Sequence, residues 1–152
     1  MTISYKIATT ADTEILVQFM REYCAFDHLP FEEQPRRASL SLFLDNASLG
    51  RLWLILRDEV PVGYLILTLG FSFEYGGYDA FIDEVYIREE HRGGGIGRQA
   101  LAFAEEECRR LGVRALHLEV EHQNVNALVL YRKVGFVDHE RYLLTKTVAA
   151  KR

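Results

Sequence analysis

The sequence predicts an α/β (α+β) fold: a mixed, mostly antiparallel central sheet of about seven strands with about four helices and one parallel βαβ unit. Three observations predict it. The strand-like runs Arg51 to Arg57, Val60 to Gly70 and Ala80 to Ile87 follow one another with only turn residues between them, the pattern of an antiparallel meander. The third run leads through Arg92-Gly93-Gly94-Gly95-Ile96-Gly97-Arg98 into a helical stretch and then another strand, the order of a βαβ unit with parallel strands. The chain has 152 residues, 49% of them hydrophobic and 26% charged, which is the length and composition of one globular domain. Residues 1–152 are therefore expected to form a single domain.

Taken in order, Tyr5 to Ala8 reads as a short opening strand. Thr10 follows as an N-cap, with Asp12 and Glu14 in the first helical turn where acids complement the helix dipole. Leu16, Phe19, Met20 and Tyr23 then recur at the spacing of one buried helix face. A polar connection with Pro30 and Pro35 precedes a second helix from about Arg36 to Leu44. Asp58-Glu59 is a hairpin signal between the next two strands, and Tyr75-Gly76-Gly77-Tyr78 is the turn before the third. The helix from Gln99 to Leu111 places Leu101, Ala104 and Cys108 on one face and stops at Gly112. From Val113 to Glu121 a strand alternates, Leu116, Leu118 and Val120 facing one side and His117, Glu119 and Glu121 the other. A last helix begins near Asn124 and stops at Gly135, and Phe136 to Glu140 and Tyr142 to Val148 read as closing strands.

Composition narrows the function classes. A formal net charge of −4 argues against nucleic-acid binding, which needs clustered cations. Cys24 and Cys108 stand far apart, so neither a disulfide framework nor a thiolate metal site is expected, and Cys108 on an apolar stripe reads as core. No apolar run is long enough to span a bilayer and no leader pattern opens the chain, so a cytoplasmic protein without membrane contact is expected. The oligomeric state is not written in the sequence; a homodimer is the commonest symmetric assembly.

The chemistry is expected where the glycines gather. A helix start exposes backbone N–H groups with no internal partner, and glycines let an anion approach them closely, so Arg92 to Arg98 reads as a phosphate cradle. A P-loop would need Gly-Lys-Ser/Thr, which is absent from this stretch. A dinucleotide site could be built from Gly95-x-Gly97-x-x-Ala100 with Glu119 as the ribose acid, but that fingerprint normally opens its domain and is followed by more parallel strands.

Arg92-Gly93-Gly94-Gly95-Ile96-Gly97 resembles the R-x-x-G-x-G pyrophosphate motif of the GNAT superfamily of N-acetyltransferases. Asn124-x-x-Ala127-x-x-Leu130-Tyr131-x-Lys133-x-Gly135-Phe136 is similar to that superfamily's second signature, at a matching distance. The element order agrees over nearly the whole chain, although Arg88-Glu89-Glu90-His91 stands where many relatives carry a proline. The resemblance implies a GNAT-like sheet and acetyl-CoA as co-substrate, with no metal. Its pyrophosphate would lie on Arg92, Gly93, Gly94, Gly95, Ile96, Gly97 and Arg98, and its pantetheine arm would pair with Val85, Tyr86 and Ile87. Asn124 and Tyr131 complete the expected cofactor contacts.

Acetyl transfer to an amine sets three requirements. A lysine-like ammonium has a pKa of about 10.4, so roughly one molecule in a few thousand is a nucleophile at neutral pH, and a base, a water chain or desolvation must correct this. Asp83 and Glu84 lie on the strand before the loop and are expected on opposite faces. By resemblance to polyamine acetyltransferases of the superfamily, Asp83 is the expected base, acting through water, with Glu84 the alternative; Glu119, Glu121, His117 and His122 remain open. The oxyanion needs a backbone N–H donor, which the resemblance assigns to Val85 to Ile87. The leaving thiolate can take a proton from Tyr131, in the family's acid position. The expected acceptor is a small-molecule amine or a peptide amine, and Asp27, Glu32, Glu33, Glu74, Asp83 and Glu119 favour a cationic one. The same signatures would also suit a CoA-binding sensor or regulatory module without turnover.

Overall fold

The computed structural model of the chain describes residues 1–149. Its elements run β1 (Ile3–Ile7), a 3₁₀ turn at Thr10–Asp12, α1 (Thr13–Phe26), α2 (Glu33–Leu44), β2 (Gly50–Arg57), β3 (Val60–Ser72) and β4 (Gly77–Ile87). A second 3₁₀ turn at Glu89–His91 is followed by α3 (Ile96–Arg110), β5 (Ala115–His117) and α4 (Val125–Lys133). The chain forms two compact units, the first Met1–Glu119 and the second beginning at Val120.

In the first unit the strands form one sheet in the order β1-β2-β3-β4-β5. β1 to β4 are an antiparallel meander, and β5 lies parallel to β4. Asp58 and Glu59 turn the β2–β3 hairpin with φ of +49° and +69°, the left-handed pair whose twist suits adjoining strands. The helix starts differ from the expected ones for local reasons. Thr9, not Thr10, makes the cap: its hydroxyl accepts from the Ala11 N–H and the Asp12 carboxylate accepts from the Thr9 N–H, so one 3₁₀ turn precedes α1. α2 begins at Glu33 rather than Arg36, since Pro35 falls in the first turn, where its missing N–H has no helical partner to lose.

Cross-strand partners share a face, and the register sorts the core. Leu52, Leu54, Tyr64, Ile66 and Tyr86 face α1 and α2, burying Leu16, Val17, Phe19, Met20 and Leu40. The opposite face meets α3, whose Phe103 stacks on Tyr5 at 3.9 Å and meets Trp53 edge-on at 5.1 Å. Cys24 and Cys108 are both buried and unbonded to each other, and burial pushes the Cys108 thiol up to about 11, which suits a core role.

β4 carries one extra residue. Ile66 pairs with Glu84 and the adjacent Leu67 with Ile82, so Asp83 bulges out of the ladder. The bulge changes which residues share a face. Upstream of it, Asp79 and Phe81 face the α1 side through their partners Gly70 and Thr68; downstream, Glu84 and Tyr86 do. The expectation that Asp83 and Glu84 simply point to opposite faces of a regular strand is corrected by this insertion.

Among the described residues the sheet has five strands rather than about seven. The expected strand Val113 to Glu121 is reduced to Ala115–His117, because β4 offers β5 ladder partners only from Asp79 to Phe81. The expected strands Phe136 to Glu140 and Tyr142 to Val148 have no sheet pairing. Tyr142, Leu143, Leu144 and Val148 are all exposed, so neither face of that segment buries apolar surface to fix a register. The four helices agree with expectation. In the second unit, Asn124 caps α4 by accepting from the Ala127 N–H at 3.3 Å. Gly135, at φ +107°, ends that helix, and the Phe136 N–H returns to the Tyr131 carbonyl at 2.9 Å.

Candidate functional site

The end of β4, the glycine turn and the start of α3 form one continuous feature in the first unit. On one side β4 is laddered to β3 along its length; on the other the β5 ladder ends at the Phe81–His117 pair. Val85, Tyr86 and Ile87 therefore have a strand edge without a β5 partner. After Ile87 the chain leaves through Arg88, whose φ of −53° and ψ of 142° are values a proline would adopt, and the 3₁₀ turn at Glu89–His91 makes the exit without one.

The turn itself is built for close backbone approach. Gly93 and Gly95 have φ of +84° and +85°, conformations that side chains strongly disfavour, and Gly95 is the N-cap of α3. α3 thus starts at Ile96, three residues before the expected Gln99. Among the described residues, no group accepts from the backbone N–H groups of Gly93 to Arg98. A Cβ added at Gly93, Gly94 or Gly95 would meet nothing within 4 Å. Free donors at a helix start, open space before them and an adjacent arginine are what a pyrophosphate requires, so the residues present fit acetyl-CoA's anionic part.

Arg92 is held rather than loose. Its Nε donates to the Ile87 carbonyl at 2.7 Å, and its guanidinium lies 4.1 Å from the Phe26 ring centre and 5.5 Å from that of Tyr86. Arg98 is exposed on the first turn of α3. A second arginine braces the strand end: Arg88 donates to Glu22 of α1 through Nε and an η nitrogen at 3.1 Å each, and the Tyr86 hydroxyl donates to the same carboxylate at 2.9 Å. Burial pushes Glu22 up, but the hydrogen bonds from Arg88, Gln18 and Tyr86 outweigh it and hold the carboxyl below its usual range.

A carboxylate with a lowered folded pKa stabilises the fold above its unfolded value of about 4.3 and loses that contribution as pH falls through the folded value. Glu22→Gln is therefore expected to cost about 1 kcal/mol at neutral pH, a gap in Tm that closes below about pH 4. Melting curves of the two proteins across pH check this; a gap that widens on acidification would contradict it.

The two candidate carboxylates sit in unlike surroundings. Glu84 accepts from Arg36 at 2.9 and 3.0 Å and from the Tyr64 hydroxyl at 2.7 Å, and Arg36 also reaches the Cys24 sulfur at 3.4 Å. Burial pushes the Glu84 carboxyl up, against the pull of Tyr64 and Arg36. It ties α2 to β4 and has little lone-pair capacity left for a substrate. Asp83 is exposed at the bulge. Arg36 also lines a shallow cleft of about 280 Å³ with Pro30, Glu32, Pro35 and Ser39. Of the acids expected to favour a cation, Glu33 is already paired with Arg21 and Arg37.

The structure brings Asp83, Val85, Tyr86, Ile87 and Arg92 to Arg98 onto one strand–turn–helix path. Asn124 and Tyr131 belong to α4 in the second unit, where the Tyr131 ring meets Phe136 at 6.0 Å. Sequence reasoning missed Arg36 and Tyr64 as the partners of Glu84, Phe26 as the platform for Arg92, and Asp79 as the partner of His117. Arg36 and Glu84 stand 48 positions apart, so no local spacing announces them. Among the described residues no helix is long and apolar enough to cross a membrane, and no three His, Cys, Asp or Glu side chains are grouped to hold a metal ion.

Comparison with known proteins assigns this mixed sheet, with its strand edge and glycine turn, to a family. The chain belongs to the acetyltransferase (GNAT) family, whose profile matches residues 16–136. It is 38% identical over 86 residues to YycN, an uncharacterised N-acetyltransferase of Bacillus subtilis, across 56% of this chain and 54% of that protein. It is 31% identical over 83 residues to the aminoalkylphosphonate N-acetyltransferase of Salmonella typhimurium, across 55% of this chain and 54% of that one. The chain thus spans about half the length of these curated relatives. An integron cassette protein from the mobile metagenome of Cole Harbour Salt Marsh superposes with a TM-score of 0.85 at 34% identity, over 97% of this chain and 91% of that one.

Proposed function

We propose that this chain is an acetyl-CoA-dependent N-acetyltransferase that moves an acetyl group to a primary amine by direct attack in a ternary complex. The observation that carries this reading is the run of a β5-free strand edge, Val85 to Ile87, straight into a helix start whose N–H groups have no acceptor among the described residues. An edge supplies N–H and C=O groups to an extended amide-bearing arm, and the helix start supplies donors to the diphosphate at its far end. Pantetheine joined to a pyrophosphate has that succession of groups.

The chemistry follows from these contacts. The amine attacks the thioester carbon, an N–H of Val85 to Ile87 stabilises the oxyanion, and the thiolate leaves with Tyr131 as its proton donor. Asp83, exposed beside that edge, attracts the acceptor's ammonium and orders the water through which its proton departs. Glu84 serves as a brace through Arg36 and Tyr64. The acceptor class is a small cationic amine or a lysine or N-terminal amine; the named activity of the Salmonella relative on an aminoalkylphosphonate supports the primary-amine part of this reading, and the exposed carboxylate of Asp83 supports the cationic part.

The test is acetyl-CoA titration together with thiol release over a panel of spermidine, L-lysine, amino acids, aminoalkylphosphonates, aminoglycosides and lysine peptides. Binding with turnover of at least one amine is expected, and Tyr131→Phe should lower kcat while acetyl-CoA affinity holds. Loss of all acetyl-CoA binding would sink the reading. Tight binding without any product would replace it with a CoA-binding regulatory module.

A further inference from the structure

His117 closes the parallel ladder, standing opposite Phe81 on its last rung, so it marks the point at which the edge of β4 becomes bare. Its ring is fixed on three sides. Nε2 lies 3.1 Å from the Asp79 carboxylate, the Phe81 ring centre is 4.9 Å away and that of Tyr75 is 5.4 Å away. The side chains of His117 and Asp79 keep 19% and 16% of their exposure, so the pair is screened from bulk water yet reachable.

An ionised carboxylate can only accept, so this contact keeps a proton on Nε2 and leaves the lone pair on Nδ1. A carboxylate that fixes an imidazole in one tautomer and stabilises its protonated form is the arrangement that makes histidine a working base. The register also aims the pair. Asp79, Phe81 and His117 lie on the α1 side of the sheet, the same side as Glu84, but past the area that α1 and α2 cover: Phe81 is 38% exposed and its neighbour on that face, Gly70, is exposed. The bulge at Asp83 is two residues further along β4, about 7 Å at the usual strand rise.

We infer that His117, oriented by Asp79, is the group on which the acceptor's proton comes to rest during acetyl transfer. The inference rests on the acetyl-transfer reading above. The amine lone pair forms the C–N bond at the thioester carbon, and the carbonyl pair moves to oxygen. It returns as the C–S bond breaks, and the bonding pair leaves on sulfur. The ammonium's first proton, whose loss frees that lone pair before the attack, passes directly or through the water ordered by Asp83 to Nδ1 of His117, and the second leaves the nitrogen of the tetrahedral intermediate to balance the proton taken up by the departing sulfur. The resulting imidazolium is balanced by Asp79 and later gives its proton to solvent, while the thiolate is protonated by Tyr131 or water.

With acetyl-CoA and the amine most rapidly acetylated in the panel, His117→Gln is expected to lower kcat about a hundredfold while acetyl-CoA affinity stays within about twofold. That deficit should shrink as pH rises toward about 10, where solution itself deprotonates the amine. Asp79→Asn should also lower kcat with the imidazole still present, by favouring the wrong tautomer. Nitrogen-15 NMR of the His117 ring in the acetyl-CoA complex needs no acceptor: a proton on Nε2 and none on Nδ1 is expected, with that preference lost in Asp79→Asn. Unchanged kcat in a folded His117→Gln protein, a deficit that ignores pH, or a proton found on Nδ1 overturns the inference. Failure of the unmodified protein to bind acetyl-CoA overturns the acetyl-transfer reading itself, and the inference with it.

Discussion

Gly94→Val is expected to weaken acetyl-CoA binding about a hundredfold, close to 2.8 kcal/mol, while leaving Tm within a degree or two of the unmodified protein. The separation of the two effects comes from the backbone. Gly93 and Gly95 need their positive φ, so replacing either would strain the turn; Gly94 is outside the left-handed region, and a Cβ there meets nothing within 4 Å. The fold therefore tolerates a branched side chain at Gly94. The ligand does not, because that side chain fills the space in which phosphate oxygens would meet the free N–H groups of the turn. Calorimetric titration beside a melting curve checks both halves, and undiminished affinity would mean that the diphosphate binds elsewhere.

Gly63→Ala is expected to destabilise the protein by about 3 kcal/mol and to lower Tm by about 10 °C. Gly63 lies on β3 opposite Ile87, and a Cβ built there would overlap the carbonyl of Tyr86. The obstacle is backbone in the centre of a sheet, so no side-chain rotation can relieve it. β3 and β4 would have to part at Val85, Tyr86 and Ile87, the edge proposed to pair with the acyl donor. Hydrogen exchange should then show lost protection at Tyr86 and Ile87 along with the lower Tm. A variant that melts with the parent would contradict the register of this strand pair.

Much of this architecture is legible in the sequence, for identifiable reasons. The meander is announced by Asp58-Glu59 and Tyr75-Gly76-Gly77-Tyr78, local turn signals that act over a few residues. The glycine turn is equally local, and its strand-to-helix position is found as expected. What escapes is set by tertiary contact. The bulge at Asp83 leaves no trace in the alternation of β4, since Phe81-Ile82-Asp83-Glu84 reads as an ordinary strand. The Glu84–Arg36 pair, the Arg92–Phe26 contact and the Asp79–His117 pair each join elements that only folding brings together. Apolar residues in Tyr142 to Val148 read as strand by propensity, but propensity does not supply a pairing partner.

The extra residue at Asp83 divides β4 into two segments that are out of phase. Ahead of it the odd-numbered side chains look toward α1, and behind it the even-numbered ones do. Deleting that one residue would leave Ile82 and Glu84 consecutive opposite Leu67 and Ile66, a regular ladder in which Glu84 and Tyr86 still face the side of Phe19, Tyr23 and Tyr64; taking Asp83 into the ladder as Ile66's partner would instead turn Val85 to that side and send Glu84 and Tyr86 to the side of α3. The insertion thus leaves its neighbours on the faces that β3 dictates and adds only Asp83, a carboxylate held out of the pairing at the exposed surface.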